Sequence, residues 1–207
     1  MHYTYHYKQP EGYHFSFDSL QLAQFVASEL RTQADLSSLR VLDLCAGCGV
    51  VGIELSWHLR SIRQIDFLEV QDVYTECFYH NMVAVNRPEL KVRWHLLNYD
   101  ALHQPEWTEK FDLIISNPPY FLANHGMLSP SEFKNRCRFF IDSSFEHYIQ
   151  AIENALANNG RAYFLLRPLK HHGLDLFHKT QQLLKHTPTI VKKITTIRGT
   201  DVVLISK

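Results

Sequence analysis

The 207-residue sequence predicts an α/β fold: a doubly wound, mostly parallel seven-stranded sheet with a C-terminal antiparallel hairpin. Three observations carry that expectation. Short apolar or alternating runs take turns with longer segments of helical spacing, the pattern of strands covered by helices on both faces. The run "FDLIIS" (111–116) holds three consecutive apolar residues, Leu113 to Ile115, as a strand buried on both sides needs. The last two strand-like runs are joined only by a tight turn around Arg198-Gly199, so they must pair antiparallel.

The elements follow in order. "FDSLQLAQFVASEL" reads as a helix with Asp18 as N-cap and Gln21 three residues on, the spacing of a capping box. "RVLDLC" is a strand, "VVGIELSWHLR" a helix, "QIDFLEV" a strand and "DVYTECFYHNMVAVN" a helix. "KVRWHLL" and "FDLIIS" are the third and fourth strands. "SSFEHYIQAIENALANNG" is a helix that Asn159-Gly160 is expected to close as a left-handed C-cap. "RAYFLLRP" is a strand, "LKHHGLDLFHKTQQLLKH" mostly helix, and "TIVKKITTI" and "DVVLISK" the closing hairpin.

Composition sets the outer bounds. At 45% hydrophobic and 20% charged, the chain suits one domain over residues 1–207. Residues 1–35 read as an N-terminal extension and helix, and 36–207 as the core. No apolar run approaches the roughly 18 residues of a membrane helix. The polar-aromatic start "MHYTYHYKQPEGYHF" is unlike a secretory signal, so a cytoplasmic protein without a membrane partner is expected. Cys45-x-x-Cys48 has half-zinc spacing, but Cys77 and Cys137 stand apart and complete no set, so no metal is expected. Net charge is zero, yet unevenly spread: from Arg161 onward nine Lys/Arg face two acids, while the rest holds 12 against 19. Such a basic third fits either a polyanion-facing surface or an edge strand blunted with lysines.

Two loops carry chemistry. "VLDLCAGCGVVG" places Asp43, Gly47, Gly49 and Gly52 at the exit of the first strand, where open α/β sheets bind ligands. The glycines fit G-x-G-x-x-G, but Asp43 at the strand end would repel a phosphate. An acid there suits a ligand with a cationic amino group and no phosphates, which points to S-adenosyl-L-methionine. Glu69 closes the second strand and is a candidate acceptor for ribose hydroxyls. Asp100, after the third strand, is a candidate acceptor for an adenine amino group or else a turn aspartate.

The fourth strand ends in "NPPYF". Asn117 and Pro118 each precede proline and are pushed into extended geometry, and neither proline offers an N–H. The result is a rigid rack of acceptors, the Asn117 side-chain oxygen and the Pro118 carbonyl. Together they can hold both hydrogens of a planar –NH₂ while Tyr120 stacks on its ring. Alignment of such a nitrogen requires no general base.

"DLCAGCG", "FLEV" and "NPPYF" resemble the amino methyltransferases of the Rossmann class. With "YKQPEGYHFSFDSLQLA", "CRFFIDSSFEHYIQAI" and "GRAYFLLRP", the chain further resembles the bacterial tRNA(Val) adenine-N6 methyltransferase family. The resemblance implies a cofactor site at Asp43, Cys45, Ala46, Gly47, Cys48, Gly49, Glu69, Val70, Asp100 and Ala101, with Asn117 shared. It implies catalytic roles for Asn117, Pro118, Pro119 and Tyr120 and an RNA substrate, expected to be tRNA. Tyr120 and Phe121 are candidates to stack on an extruded base, and Lys134, Arg136 and Arg138 to meet phosphates. Cys45 stands where these enzymes usually carry glycine, and phenylalanines occupy "RCRFFI" where an acid is usual. Two rivals remain. A protein glutamine amide presents the same –NH₂, although such enzymes usually carry an extra N-terminal helical domain and about 35 residues precede the first strand here. The other is a lapsed binding module that keeps the fold without turnover.

Overall fold

In the structure, a computed structural model, residues 4–32, 35–123, 126–169 and 173–207 are described. Strands β1 (Arg40–Leu44), β2 (Gln64–Glu69), β3 (Lys91–Leu96), β4 (Phe111–Ser116) and β7 (Leu156–Leu166) run parallel. Strands β8 (Ile190–Ile197) and β9 (Thr200–Ser206) form the antiparallel hairpin. The seven lie in the order β3-β2-β1-β4-β7-β9-β8, with β9 antiparallel to β7. Helices α1 (Asp18–Leu30), α2 (Val50–His58), α3 (Thr75–Val85), α5 (Phe145–Ala155) and α6 (Leu176–Leu183) cover it.

The period-two rule of strands sorts the core into two layers. Val41, Phe67, Leu113, Ile115 and Tyr163 face one way and pack with Leu22, Ile53 and Phe78 of the first three helices. Their neighbours Leu42, Leu68, Ile114, Ala162 and Phe164 face the other way, against Tyr148 and Ile152 of α5 and Leu176 of α6. Continuous apolar runs were needed because both faces are covered. The edge strands β3 and β8 instead show alternating or frequent exposure. Exposed Lys192 and Lys193 lie on edge strand β8, so part of the basic third does blunt an edge.

Strand β1 has β2 on one side and β4 on the other, the place where the winding reverses. Leu44 is in register with Ser116, and the Ser116 hydroxyl donates to the Leu44 carbonyl at 2.6 Å. The chain therefore leaves β1 at Cys45 and β4 at Asn117 side by side, opening the crevice in which such sheets bind ligands.

Residues ahead of α1 are fastened to the core. The Tyr7 and Thr4 hydroxyls donate to the two oxygens of fully buried Glu54 at 2.6 and 2.7 Å. Asn81 exchanges hydrogen bonds with the Lys8 backbone and donates to the Cys48 carbonyl. No helix among the described residues is long and apolar enough to cross a membrane.

Three local expectations need correction. Phe17, not Asp18, occupies the N-cap position of α1 without a side-chain cap, and Asp18 begins the helix as a buried acid 3.4 Å from Arg198. Helix α5 stops at Ala155; Asn159 does take a left-handed φ of 65°, but inside β7, where the register with β4 shifts. The segment around 134–138, to which no element was assigned, is a short helix, α4 (Glu132–Arg138), capped by the Ser131 hydroxyl. The region after β7 is helical only over α6, with residues 170–172 outside the described ones. Strands β5 (Phe121–Leu122) and β6 (Phe139–Phe140), a small parallel pair, were not foreseen, being too short for any periodicity.

Candidate active site

A cavity of about 450 Å³ opens at the carboxyl ends of β1 and β4. It brings together Cys45, Ala46, Gly47, Cys48, Glu69 and Val70 from one side. From the other come Asn117, Pro118, Pro119, Tyr120 and Phe121. Its size falls within the ordinary range of small-molecule sites, about 300–1,000 Å³.

The glycine loop is held from behind by carboxylates. Glu69 Oε2 accepts from the Gly47 amide at 2.8 Å, and Oε1 accepts from the amides of Val70 and Gln71 at 3.0 and 2.9 Å. Burial pushes the Glu69 carboxyl above its ordinary pKa, and the three amides pull against that rise. Asp43 does not reach the cavity wall. It is fully buried, its Oδ2 accepts from the Gly52 amide at 2.7 Å inside α2, and Oδ1 has no partner among the described residues. Burial raises its carboxyl well above the carboxylate range, and the charge of Glu69 adds to the rise. Gly49 caps α2 from a left-handed φ of 85° and also lies behind the lining.

Asp100 and Ala101 sit in a 3-10 turn over Tyr99–His103, outside the cavity wall. Asp100 accepts from the Ser143 hydroxyl at 2.7 Å and lies 3.3 Å from His147 Nδ1, which draws it away from the crevice. The cavity at this side is bounded instead by Leu97, Tyr99 and Asp142.

The rack at the tip of β4 has a defined orientation. Asn117 Nδ2 donates to Ser19 Oγ of α1 at 2.8 Å, and Oδ1 has no protein partner among the described residues. The Tyr120 amide donates to the Arg138 carbonyl at 3.0 Å, tying the segment to the end of α4. The Tyr120 hydroxyl is buried and has no hydrogen-bond partner among the described residues, and burial raises its pKa. Phe121 belongs to β5, its ring 5.5 Å from that of Phe139.

The three basic candidates separate. Arg136 is tied to Asp142, Nε at 2.9 Å and Nη2 at 2.8 Å. Arg138 is exposed at the cavity, while Lys134 is outside the lining. Sequence reasoning missed Ser19, Tyr13 and Phe15, which wall the crevice from the N-terminal side, and Arg167 beyond β7. The available signal for Arg167 was its place: it follows a parallel strand at the carboxyl end, where the loops of the site gather.

The sequence pattern of the methyltransferase small domain family matches residues 14–129, which hold the glycine loop and the rack. Among curated proteins, the chain is 33% identical over 134 residues to a tRNA1(Val) (adenine(37)-N6)-methyltransferase of Glaesserella parasuis, covering 64% of this chain and 54% of that protein. A protein of the same name from Shewanella is 30% identical over 157 residues, covering 73% and 64%. The chain thus spans between about half and two-thirds of the length of these relatives. Among solved structures, a precorrin-6y C5,15-methyltransferase from Geobacter metallireducens superposes with a TM-score of 0.59 at 16% identity, over 97% of this chain and 93% of that one. The CurJ carbon methyltransferase gives 0.60 at 11%, over 91% and 53%. At such identities the likeness speaks for the fold, a seven-stranded, mostly parallel sheet, and leaves the substrate open. With more than half of its length inside the family pattern, the chain belongs to the methyltransferase small domain family.

Proposed function

We propose that the protein is an S-adenosyl-L-methionine-dependent methyltransferase acting on the exocyclic amino group of an adenine in tRNA. One observation carries the reading: the Asn117 amide is anchored through Nδ2, leaving an Oδ1 without a partner among the described residues on the same cavity as Gly47 and Glu69. The curated relatives' names supply the nucleic acid and the nitrogen.

The residues present fit that cofactor. The cavity is large enough, its lining is mostly apolar, and Glu69 Oε2 spends only one bond on the protein, so it can accept another from a hydroxyl. Gly47, Cys48, Glu69 and Val70 would hold it, with Asp43 and Gly49 shaping the loop from behind. When bound, it supplies a methyl group on a sulfonium. The chain's own part is placement. Asn117 Oδ1 and the Pro118 carbonyl accept the two amine hydrogens, which turns the nitrogen lone pair out of the plane of the base. The prolines and the Tyr120–Arg138 backbone bond keep the acceptors from drifting. Phe121, and the Tyr120 ring where its edge borders the cavity, give the base an apolar bed. Positioning of this kind is worth several kcal/mol, and about 7–11 kcal/mol in the best-aligned cases.

Methyl-labelled cofactor incubated with unmodified tRNA is expected to label the RNA, and label should vanish with RNase. Asn117→Ala should lower kcat at least about 100-fold, the order of losing one charge-stabilising contact at a reacting centre. Undiminished transfer by that variant would refute the role of Asn117. Label in protein alone would favour a glutamine-amide substrate, and failure to bind the cofactor in calorimetry would favour a lapsed module.

A further inference from the structure

We infer that Arg138 and Arg167 form a two-point clamp for the phosphates on either side of the target nucleotide; this rests on the RNA reading above and names the groups that meet the strand. Both guanidinium groups are exposed at the cavity, and neither has a carboxylate within ion-pair distance among the described residues. Arg136, the third arginine of the lining, already has its carboxylate in Asp142 and so carries little free charge to a ligand.

The two free arginines stand at consecutive residues of the rack. Arg167 lies 6.0 Å from the centre of the Tyr120 ring, and Arg138 lies 5.7 Å from that of Phe121 and 5.6 Å from that of Phe139. Tyr120 packs toward the core layer of α1–α3, and Phe121 toward the layer of α5 and α6. The segment is extended, so the rings leave it on opposite faces, and each arginine is held over one of them. A base entering between the acceptors of Asn117 and the ring of Phe121 would have one guanidinium on each flank. Its own backbone supplies phosphates on those two flanks. Guanidinium forks match phosphate oxygens in pairs, and stacking over a ring fixes the fork before the ligand arrives.

Two further features place the clamp. The Tyr120 amide bonds the Arg138 carbonyl, so Arg138 moves with the rack as one piece. Arg167 leaves β7 three residues after Phe164, the register partner of Ser116, which sets it beside Asn117 at the same end of the sheet. The basic charge of the C-terminal third therefore divides: the lysines of β8 belong to an edge, and Arg167 to the site.

The test is fluorescence anisotropy of the full chain with a labelled, unmodified tRNA(Val) transcript across a salt series. Arg138→Ala and Arg167→Ala should each weaken binding roughly tenfold. Each should also flatten the slope of log affinity against log salt by about 0.7, the value for one lost single-strand phosphate contact. Lys91→Ala removes an equal charge from the amino end of β3, away from the cavity, and should leave the slope as it was. Arg167→Lys should restore the slope while recovering only part of the affinity, since a lysine keeps the charge without the fork. If the unaltered protein methylates the transcript but both alanine variants keep its slope, the clamp is overturned and the RNA reading stands. If the unaltered protein binds no RNA, both fall.

Discussion

Three glycines allow the cost of a side chain near the site to be split into backbone and packing parts. Gly199 sits at φ 82° in the β8–β9 turn with nothing within 4 Å of a built Cβ. Gly199→Ala thus meets only the left-handed backbone penalty, about 1–2 kcal/mol. Gly52 is inside α2, but its Cβ would lie 2.5 Å from Phe67 Cε1 and 3.0 Å from Asp43 Oδ2. Gly52→Ala meets overpacking of about 1–3 kcal/mol, offset by about 1 kcal/mol of helix propensity. Gly49 combines the two, with φ 85° and a Cβ 2.8 Å from Phe78 Cδ2, so Gly49→Ala should cost roughly 2–5 kcal/mol. At about 2–4 °C per kcal/mol for a chain of this length, Gly49→Ala should melt roughly 4–20 °C lower and Gly199→Ala roughly 2–8 °C lower. Thermal unfolding followed by circular dichroism, with urea midpoints as a second measure, reads both. Cofactor affinity in calorimetry should drop for Gly49→Ala and hold for Gly199→Ala, which is remote from the loop. A Gly49→Ala protein as stable as Gly199→Ala would refute the argument, because Phe78 would then be yielding rather than bracing the loop.

Asp43→Asn should stabilise the fold at pH 8. Burial raises the folded-state pKa of this carboxyl, so its contribution is fully present below the ordinary carboxylate pKa and is lost as pH rises toward the raised value. Asparagine keeps a neutral acceptor for the Gly52 amide, so the gain in melting temperature should shrink as pH falls toward about 4; a gain independent of pH would contradict the assignment. Tyr7→Phe removes one of two hydroxyl donors from buried Glu54 and should cost about 1–3 kcal/mol in urea unfolding. An unchanged midpoint would mean that the segment before α1 is not docked as described.

What the sequence made legible was whatever repeats along the chain or sits at a strand end. The seven strands and the reversed hairpin were readable because Val41 to Leu44 and Leu113 to Ile115 supply apolar side chains to both layers, and because Arg198-Gly199 leaves room only for a two-residue turn, both residues having positive φ. Gly47, Glu69 and Asn117 were placed on one cavity by the same logic, lying at or just past the carboxyl ends of parallel strands. Contacts between distant segments were not legible. Nothing in "FDSLQ" announces that Ser19 will meet Asn117, 98 residues away, and nothing near Asp100 announces that Ser143 and His147 will claim it. Asn159-Gly160 misled for a related reason: a left-handed residue serves a strand bulge as well as a helix end, and only the register of β4 with β7 decides between them. Cys45, standing where glycine is usual, takes a left-handed φ of 59°, so the loop keeps its bend and the cysteine bears the strain.

The acids of the glycine loop turn out to divide their work by depth. An acid at the end of β1 was expected to attract a cationic ligand directly, yet Asp43 is buried beneath the loop and lies outside the cavity wall. Its bond to Gly52 instead fixes where α2 begins, and so where Cys48 and Gly49 lie. Glu69, one strand over, lines the cavity and keeps the remaining lone pairs, and its bond to Gly47 means that it also sets the loop it would share with a ligand. Carboxylates that satisfy backbone amides are costly to remove, because each lost partner leaves buried N–H groups unpaired. The acid spacing around the glycines is therefore required twice, once by the backbone of the loop and once by the ligand. A sequence pattern alone cannot separate the two demands; the depth of each side chain does.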